Sequence, residues 1–535
     1  MSNRKPSASR IGSHSIFSSD RILTYMTQTR EQTIVESAFG YPGETLWSRS
    51  RRIAPRIVWA ISVSVWLYAI FATVKSGVDA VMSDVGHLGA LVGGVVAIAV
   101  SAFVWRQERW FAASLARLAD VISTGSTRRW LAKCLIIGLG TRIVWVLFFP
   151  AEFTSDFRSY WVLANQLASE GYYYTAGTYA YWPPGLPFSL VPSLFVMGSY
   201  TWIPLLNNLV LFCATVLITY RLATVVSNER VARVATLLLV LWPNFTFYAG
   251  LPAKELLTAF LLPLAILIYF ESVTLSDGIS RLRFAFLAGL ILGFSSLTQA
   301  SFLLFPSIFV LYELVAGNSF SKAYSRMALL ILGMLLVVSP WTLRNYFVLN
   351  AFVPISTNGG WSLYIGNNPS ASGGHVPAEA DFQGYDEVTA NKKALARGAK
   401  WIIDNPKNFI GLAVRKQIMF LGDDSTGVFW TLKRGLGIGD IRYAALKGWA
   451  NLFWLGLSIL LLVSFISQWK SPLSESPEIL VLILSVFYFL SLHSVFESGS
   501  RHHVALAGCL TILAALTTRT AISGRRIRAT DEERP

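Results

Sequence analysis

Residues 131–149, LAKCLIIGLGTRIVWVLFF, run without a break into 150–187, PAEFTSDFRSYWVLANQLASEGYYYTAGTYAYWPPGLP. The first segment has the length a helix needs, at about 1.5 Å per residue, to cross a hydrocarbon core of about 30 Å. The second carries acidic Glu152 and Asp156, a Tyr-rich turn and the rigid Trp182-Pro183-Pro184-Gly185. An apolar helix that ends in such a segment has left a membrane, and the segment is its emerging loop.

Outward from this junction, apolar stretches of about 15–20 residues recur about twelve times, each long enough to span. They lie near 57–75, 87–105, 131–149, 203–222, 231–249, 254–271, 284–298, 300–316, 327–345, 449–467, 478–494 and 503–519. The expected fold is therefore an all-α polytopic membrane protein of about twelve transmembrane helices. Composition agrees: 53% of the 535 residues are apolar and only 14% are charged, too few to cover a soluble protein of this size.

The net charge of +15 is gathered in short segments between apolar runs and at the two ends. That is the positive-inside pattern, not a stripe that tracks phosphates, so nucleic acid is excluded as the expected partner. Arg106, Arg109, Arg117, Arg128 and Arg129 mark an inner segment, and both termini are placed in the cytoplasm of a cell whose inner (plasma) membrane holds the chain. Cys134, Cys213 and Cys509 each sit inside an apolar run without paired spacing, which suggests small core residues and neither disulfides nor zinc.

The resulting organisation is a basic tail (1–55), two spans with the basic segment (56–130), a core (131–345) whose first outer loop is 150–202, an extracytoplasmic loop domain (346–448), closing spans (449–519) and a tail (520–535). Within the first loop, 186–200 is apolar but broken by Pro187 and Pro192; a crossing there would put Arg221, Arg230 and Arg233 outside, so it reads as a helix on the outer surface. The loop domain holds a helix near 387–403, ended by Asn405-Pro406.

Sorted by expected face, the polar residues gather on the outer side: Asp156, Lys254, Glu255, Arg344, Arg415, Lys416, Arg501, His502 and His503. A site that takes a lipid-anchored substrate from the outer leaflet needs this combination, a carboxylate for proton abstraction and cations for a phosphate leaving group. Asp156 follows the third span closely enough to meet both lipid and a water-borne acceptor. Glu152 is a second acid that could join it on a divalent cation, but two carboxylates alone assign no metal site. Arg142 lies inside the span, about 12 Å below Pro150 along a regular helix, where a charge is a functional candidate by default.

Lys254 and Glu255 open a helix; the acid suits a helix start and the lysine does not. His502 and His503 point about 100° apart on a helix, so one ion shared between them is not expected. Tyr160, Tyr181 and Trp182 belong to an aromatic set that serves either as an interfacial belt or as a sugar-stacking surface. Asp423-Asp424 reads as a solvated loop pair, and Asn244-Phe245-Thr246 as a glycosylation sequon too near the membrane to use.

Together these residues resemble glycosyltransferase family 39 of the GT-C superfamily, the membrane enzymes related to dolichyl-phosphate-mannose protein mannosyltransferases. The matching pieces are the Arg142-bearing span before Ser155-Asp156-Phe157-Arg158-Ser159-Tyr160, the Tyr181-Trp182-Pro183-Pro184-Gly185 segment, and Pro340-Trp341-Thr342-Leu343-Arg344-Asn345-Tyr346. Pro354-Ile355-Ser356-Thr357-Asn358-Gly359-Gly360, Leu363-Tyr364-Ile365-Gly366-Asn367-Asn368-Pro369 and Arg501 complete them, over roughly 130–520. The resemblance implies a polyprenyl-phosphate sugar donor, transfer on the extracytoplasmic face and inversion at the anomeric carbon with Asp156 as base. Many members carry two adjacent acids there, whereas Asp156 has Ser155 and Phe157 as neighbours.

The expected activity is transfer of a sugar to a protein, lipid or polysaccharide acceptor, with Arg142, Lys254, Arg344, Arg415, Lys416 and Arg501 as candidate phosphate ligands. Glu152, Tyr160, Tyr181, Trp182, Glu255, His502 and His503 are the candidate substrate contacts. A transporter or flippase of lipid-linked sugars, or a glycan polymerase or ligase, are the rival readings; a transporter calls for ionisable residues near midplane in several spans and paired broken helices.

Overall fold

The computed structural model describes residues 46–81, 87–275, 278–375, 382–432, 440–468 and 477–519. The tails 1–45 and 520–535 lie outside the described residues. The described residues divide at Ile57, and the second unit begins at Val58.

The regular structure of the second unit, among the described residues, is helical, and the chain is a multi-pass membrane protein. Eight helices among the described residues are long and apolar enough to cross a bilayer: Arg56–Val78, Thr127–Phe148, Ile203–Val226, Lys254–Thr274, Gly278–Thr298, Phe320–Leu349, Ile441–Ser467 and Pro477–Val495. Hydrocarbon cannot bond backbone N–H and C=O groups, so each span satisfies its own as a helix.

The sequence count of about twelve differs where an apolar run is broken into shorter helices. The run 231–249 is two helices, Glu229–Leu241 and Pro243–Phe247, because Pro243 holds Trp242 extended (φ −67°, ψ 112°). The run 300–316 is a 3-10 turn, Ala300–Leu304, followed by a helix opening on Pro306. The run 503–519 begins inside the 3-10 helix Ser500–Leu506 and continues as Ala507–Ala515. Every residue of Ala507–Ala515 is buried, which explains an apolar stretch that is packed all round by protein. Gly185–Met197 has 13 residues and so is about 20 Å long, too short to cross unaided.

Two pairings hold the core. In Gly278–Thr298, Gly289 and Gly293 are four apart and face Phe320–Leu349; a Cβ on Gly289 would lie 2.0 Å from the Leu330 carbonyl oxygen, and one on Gly333 would lie 2.4 Å from that of Phe286. Lipid gives no hydrophobic drive between helices, so this close backbone contact is what joins them. Elsewhere Arg326 donates two hydrogen bonds to Glu313, at 2.8 and 2.6 Å, and Tyr269 donates to the same carboxylate at 2.5 Å. Three helices are tied by this satisfied buried pair.

Two further helices follow Phe320–Leu349 and the short helix Gly359–Gly366. Asp386 caps the helix Glu387–Asp404 by accepting from the amides of Val388 and Thr389, and Pro406 opens the next helix, Pro406–Leu421. The Glu387 carboxylate accepts from the amides of Tyr179 (2.7 Å) and Ala180 (2.9 Å) and from the Thr357 hydroxyl, binding the helix Glu387–Asp404 to the segments around 180 and 357.

Candidate active site

The helix Ser155–Glu170 starts where the loop turns sharply: Ser155 takes φ 53°, and Asp156 stands in the first turn, favoured by the positive helix end. Gly171 at φ 65° ends the helix and returns the chain through the tyrosines toward Trp182. The next segment is held close because Gly185 has no side chain: a Cβ there would lie 2.2 Å from the Thr298 hydroxyl.

Asp156 meets Arg501 of the 3-10 helix, whose Nη1 donates to Oδ2 at 3.0 Å, while the Trp182 indole N–H approaches Oδ1 at 3.5 Å. Arg501 Nε also lies 3.9 Å from the Glu255 carboxylate, which is 4% exposed and has its Oε2 unpartnered. Burial pushes the Asp156 carboxyl up, but the charges of Arg501 and Lys254 and the two N–H donors outweigh it and hold it below the usual carboxylate range. Burial likewise opposes the Arg501 charge, and Asp156, Glu255 and Glu497 more than restore it. Residues from four distant stretches thus meet: Asp156, Lys254-Glu255, Trp182 and Arg501.

Glu497 and His493 join this cluster without having been singled out in the sequence. His375 approaches Glu497 at 3.8 Å, and His493 stacks on His502 with centroids 4.0 Å apart. Burial, then His493 and Arg501, push His502 well below its ordinary value. The short polar run Glu497-Ser498-Gly499-Ser500 before Arg501 was the available signal. Tyr160 is buried at the base of the loop, and Tyr181 packs on Trp182 and Trp361 in an aromatic wall.

Other candidates lie apart from Asp156 or are engaged elsewhere. Arg344 donates to the carbonyls of Tyr173 (2.9 Å) and Tyr179 (2.7 Å) and stacks on Trp341, so it shapes the tyrosine loop. Lys416 is fully buried; its ammonium donates to Asn367 Oδ1 (2.9 Å) and to the carbonyls of Ser494 (3.3 Å) and Val495 (2.9 Å), and burial brings its pKa down to about 8. Arg415 and Glu152 are exposed. Arg142 is buried in its span, donating to the Gly138 carbonyl with its guanidinium 3.6 Å from the Phe212 ring centroid and Nη2 unpartnered.

His503 and Asp424 correct the sequence reading. Asp424, expected in solvent, is wholly buried: it accepts from the Trp242 indole and from Asn244 Nδ2, both at 2.6 Å, and faces His503 Nε2 at 2.8 Å. The other ring nitrogen, Nδ1, donates to the Phe420 carbonyl at 2.7 Å, so one proton lies on the Asp424–His503 line. Burial is the main influence on Asp424 and pushes its carboxyl up. The ring of His503 lies flat on Trp454 at 4.1 Å. His503 is therefore the anchor of the 3-10 helix that carries Arg501. Asn244 belongs to this buried network and offers no glycosylation site. No three His, Cys, Asp or Glu side chains among the described residues come close enough to hold a metal ion.

No family model matches the chain, and neither does any curated protein. Among solved structures it is similar to the Archaeoglobus fulgidus oligosaccharyltransferase in complex with Zn and sulfate, with TM-score 0.49 and 16% identity over 75% of this chain and 50% of that one. The same archaeal enzyme with an inhibitory peptide and a dolichol-phosphate gives TM-score 0.47 and 14% identity, over 76% and 52%. ArnT from Cupriavidus metallidurans bound to undecaprenyl phosphate gives TM-score 0.39 and 13% identity, over 74% and 78%. The chain spans about half the length of the archaeal oligosaccharyltransferase it resembles.

Proposed function

We propose that this protein is an integral membrane glycosyltransferase that moves a sugar from a polyprenyl-phosphate donor to an acceptor at the extracytoplasmic face of an inner (plasma) membrane, with both termini cytoplasmic. The observation that carries the reading is the Asp156–Arg501 contact of 3.0 Å beside Lys254 and Glu255, at the end of a membrane-spanning helix. An ionised carboxylate and two cations at a membrane surface are what displacement of a lipid phosphate requires.

In this reaction an acceptor hydroxyl gives its proton to Asp156 as its oxygen bonds to the anomeric carbon. The bond from that carbon to the phosphate oxygen breaks, and the electron pair leaves with the lipid phosphate. Arg501 and Lys254 receive the developing charge. Attack opposite the leaving group inverts the anomeric centre. The Tyr181, Trp182 and Trp361 rings offer faces on which a sugar can stack.

The test is incubation of purified full-length protein with labelled polyprenyl-phosphate sugars and a panel of protein, lipid and polysaccharide acceptors. Label moving to any one acceptor supports the reading. Movement of the intact lipid-linked sugar across liposomes without transfer overturns it in favour of a flippase.

A further inference from the structure

The helix Glu108–Ile122 follows the apolar segment Gly94–Arg106 and directly precedes the span Thr127–Phe148. Its two sides differ chemically. Ala116 and Ala119 are buried. Its two acids are paired, Glu108 with Arg109 at 3.5 Å and Asp120 with Arg230 at 2.9 Å. At 100° per residue the exposed arc centres on Trp110, Arg117 and Val121, with Arg109 at one edge and Leu118 at the other.

That arc contains one acid, Asp120, whose carboxylate is paired with Arg230 at 2.9 Å. Trp110 is 59% exposed, Val121 70% and Leu118 47%, while the side chain of Arg109 is 96% exposed. Arg106, Arg128 and Arg129 flank it and are also exposed, as is Trp105. Exposed apolar side chains interleaved with exposed cations on a helix directly before a membrane span match the physics of an interfacial anchor. Cations of this kind are attracted to anionic lipid, each by a factor of about five at the surface.

We propose that this face is a docking surface for anionic phospholipid headgroups, with Trp110, Leu118 and Val121 sunk among the acyl chains and Arg106, Arg109, Arg117, Arg128 and Arg129 on the phosphates. This goes beyond sugar transfer and does not depend on it.

The experiment uses the full-length protein in mixed phosphatidylglycerol and phosphatidylcholine micelles, with lipid retained per molecule read by native mass spectrometry. The wild type is expected to retain phosphatidylglycerol at least about fivefold over phosphatidylcholine, the preference of one such cation. The variant R106Q/R109Q/R117Q/R128Q/R129Q is expected to lose the preference while keeping its melting temperature, since all five side chains are exposed. A label on Val121→Cys, in a background without the native cysteines, reads depth in vesicles: burial with phosphatidylglycerol and exposure with phosphatidylcholine alone supports the proposal. Equal retention by wild type and variant overturns it. A label exposed in both vesicles but shielded in native membranes also overturns it, and assigns the face to a protein partner.

Discussion

Replacing Asp424 by asparagine keeps the shape of a buried side chain while breaking its hydrogen-bond parity. Asp424 offers two acceptor oxygens, one to Trp242 Nε1 and one to Asn244 Nδ2, each at 2.6 Å. Asparagine at 424 has one oxygen and one NH2, so one of these donors must face another donor. Asn244 cannot turn to relieve it, because its own Oδ1 accepts from the Gly427 amide at 2.7 Å. The lost bond to a charged acceptor amounts to about 1.5–3 kcal/mol and the unsatisfied buried donor to about 1–3 kcal/mol, so the loss is about 2.5–6 kcal/mol. Thermal unfolding of the purified full-length protein should show D424N melting several degrees below wild type. The double variant D424N/N244D restores parity, with the new amide donating to the new carboxylate, and should recover most of the loss. An unchanged D424N midpoint, or no recovery in the double variant, refutes the network and with it the anchoring of the Arg501 helix.

Other contacts lead to three further outcomes. Glu387→Ala removes a charged acceptor from the Tyr179 and Ala180 amides; their hydrogen exchange should quicken about 10–100-fold, matching about 1.5–3 kcal/mol, with the spans unaffected. Gly289→Val drives a side chain into the Leu330 carbonyl, 2.0 Å from the Cβ position, and should lower stability by about 1–3 kcal/mol in a melting assay. Arg501→Gln leaves the burial of Asp156 opposed only by Lys254 and Trp182, so its pKa rises. In the wild type this depressed carboxyl favours folding above its unfolded value of about 3.9 and loses that contribution as pH falls through the lower folded value. Transfer should therefore stay flat into mildly acidic pH in the wild type, whereas residual transfer by R501Q should decline at a higher pH.

The fold was legible wherever composition and length speak alone: Thr127–Phe148 and Lys254–Thr274 are long, apolar and bounded by polar turns. It was less so where an apolar run is buried in protein. Ala507–Ala515 and Glu229–Leu241 have the composition of spans, but only the breaks at Pro243 and before Ala507 reveal that they are short. Within the site, Asp156, Lys254, Glu255 and Arg501 could be chosen by the face of their loops. Asp424 could not, because its partners Trp242, Asn244 and His503 come from segments whose meeting depends on the packed bundle. Arg344 and Lys416 looked like free cations for the complementary reason: the carbonyls that occupy them carry no sequence signature.

The central claim is that Asp156 takes the proton of the acceptor hydroxyl. Its most direct test compares wild type with Asp156→Asn for turnover of labelled polyprenyl-phosphate sugar, each protein reconstituted in liposomes and checked for folding by its melting temperature. An amide fills the same space but cannot accept that proton, and general-base assistance accounts for about 10²–10⁴ in rate. A folded D156N protein with transfer reduced by at least about a hundredfold agrees with the account; D156N turnover equal to wild type contradicts it.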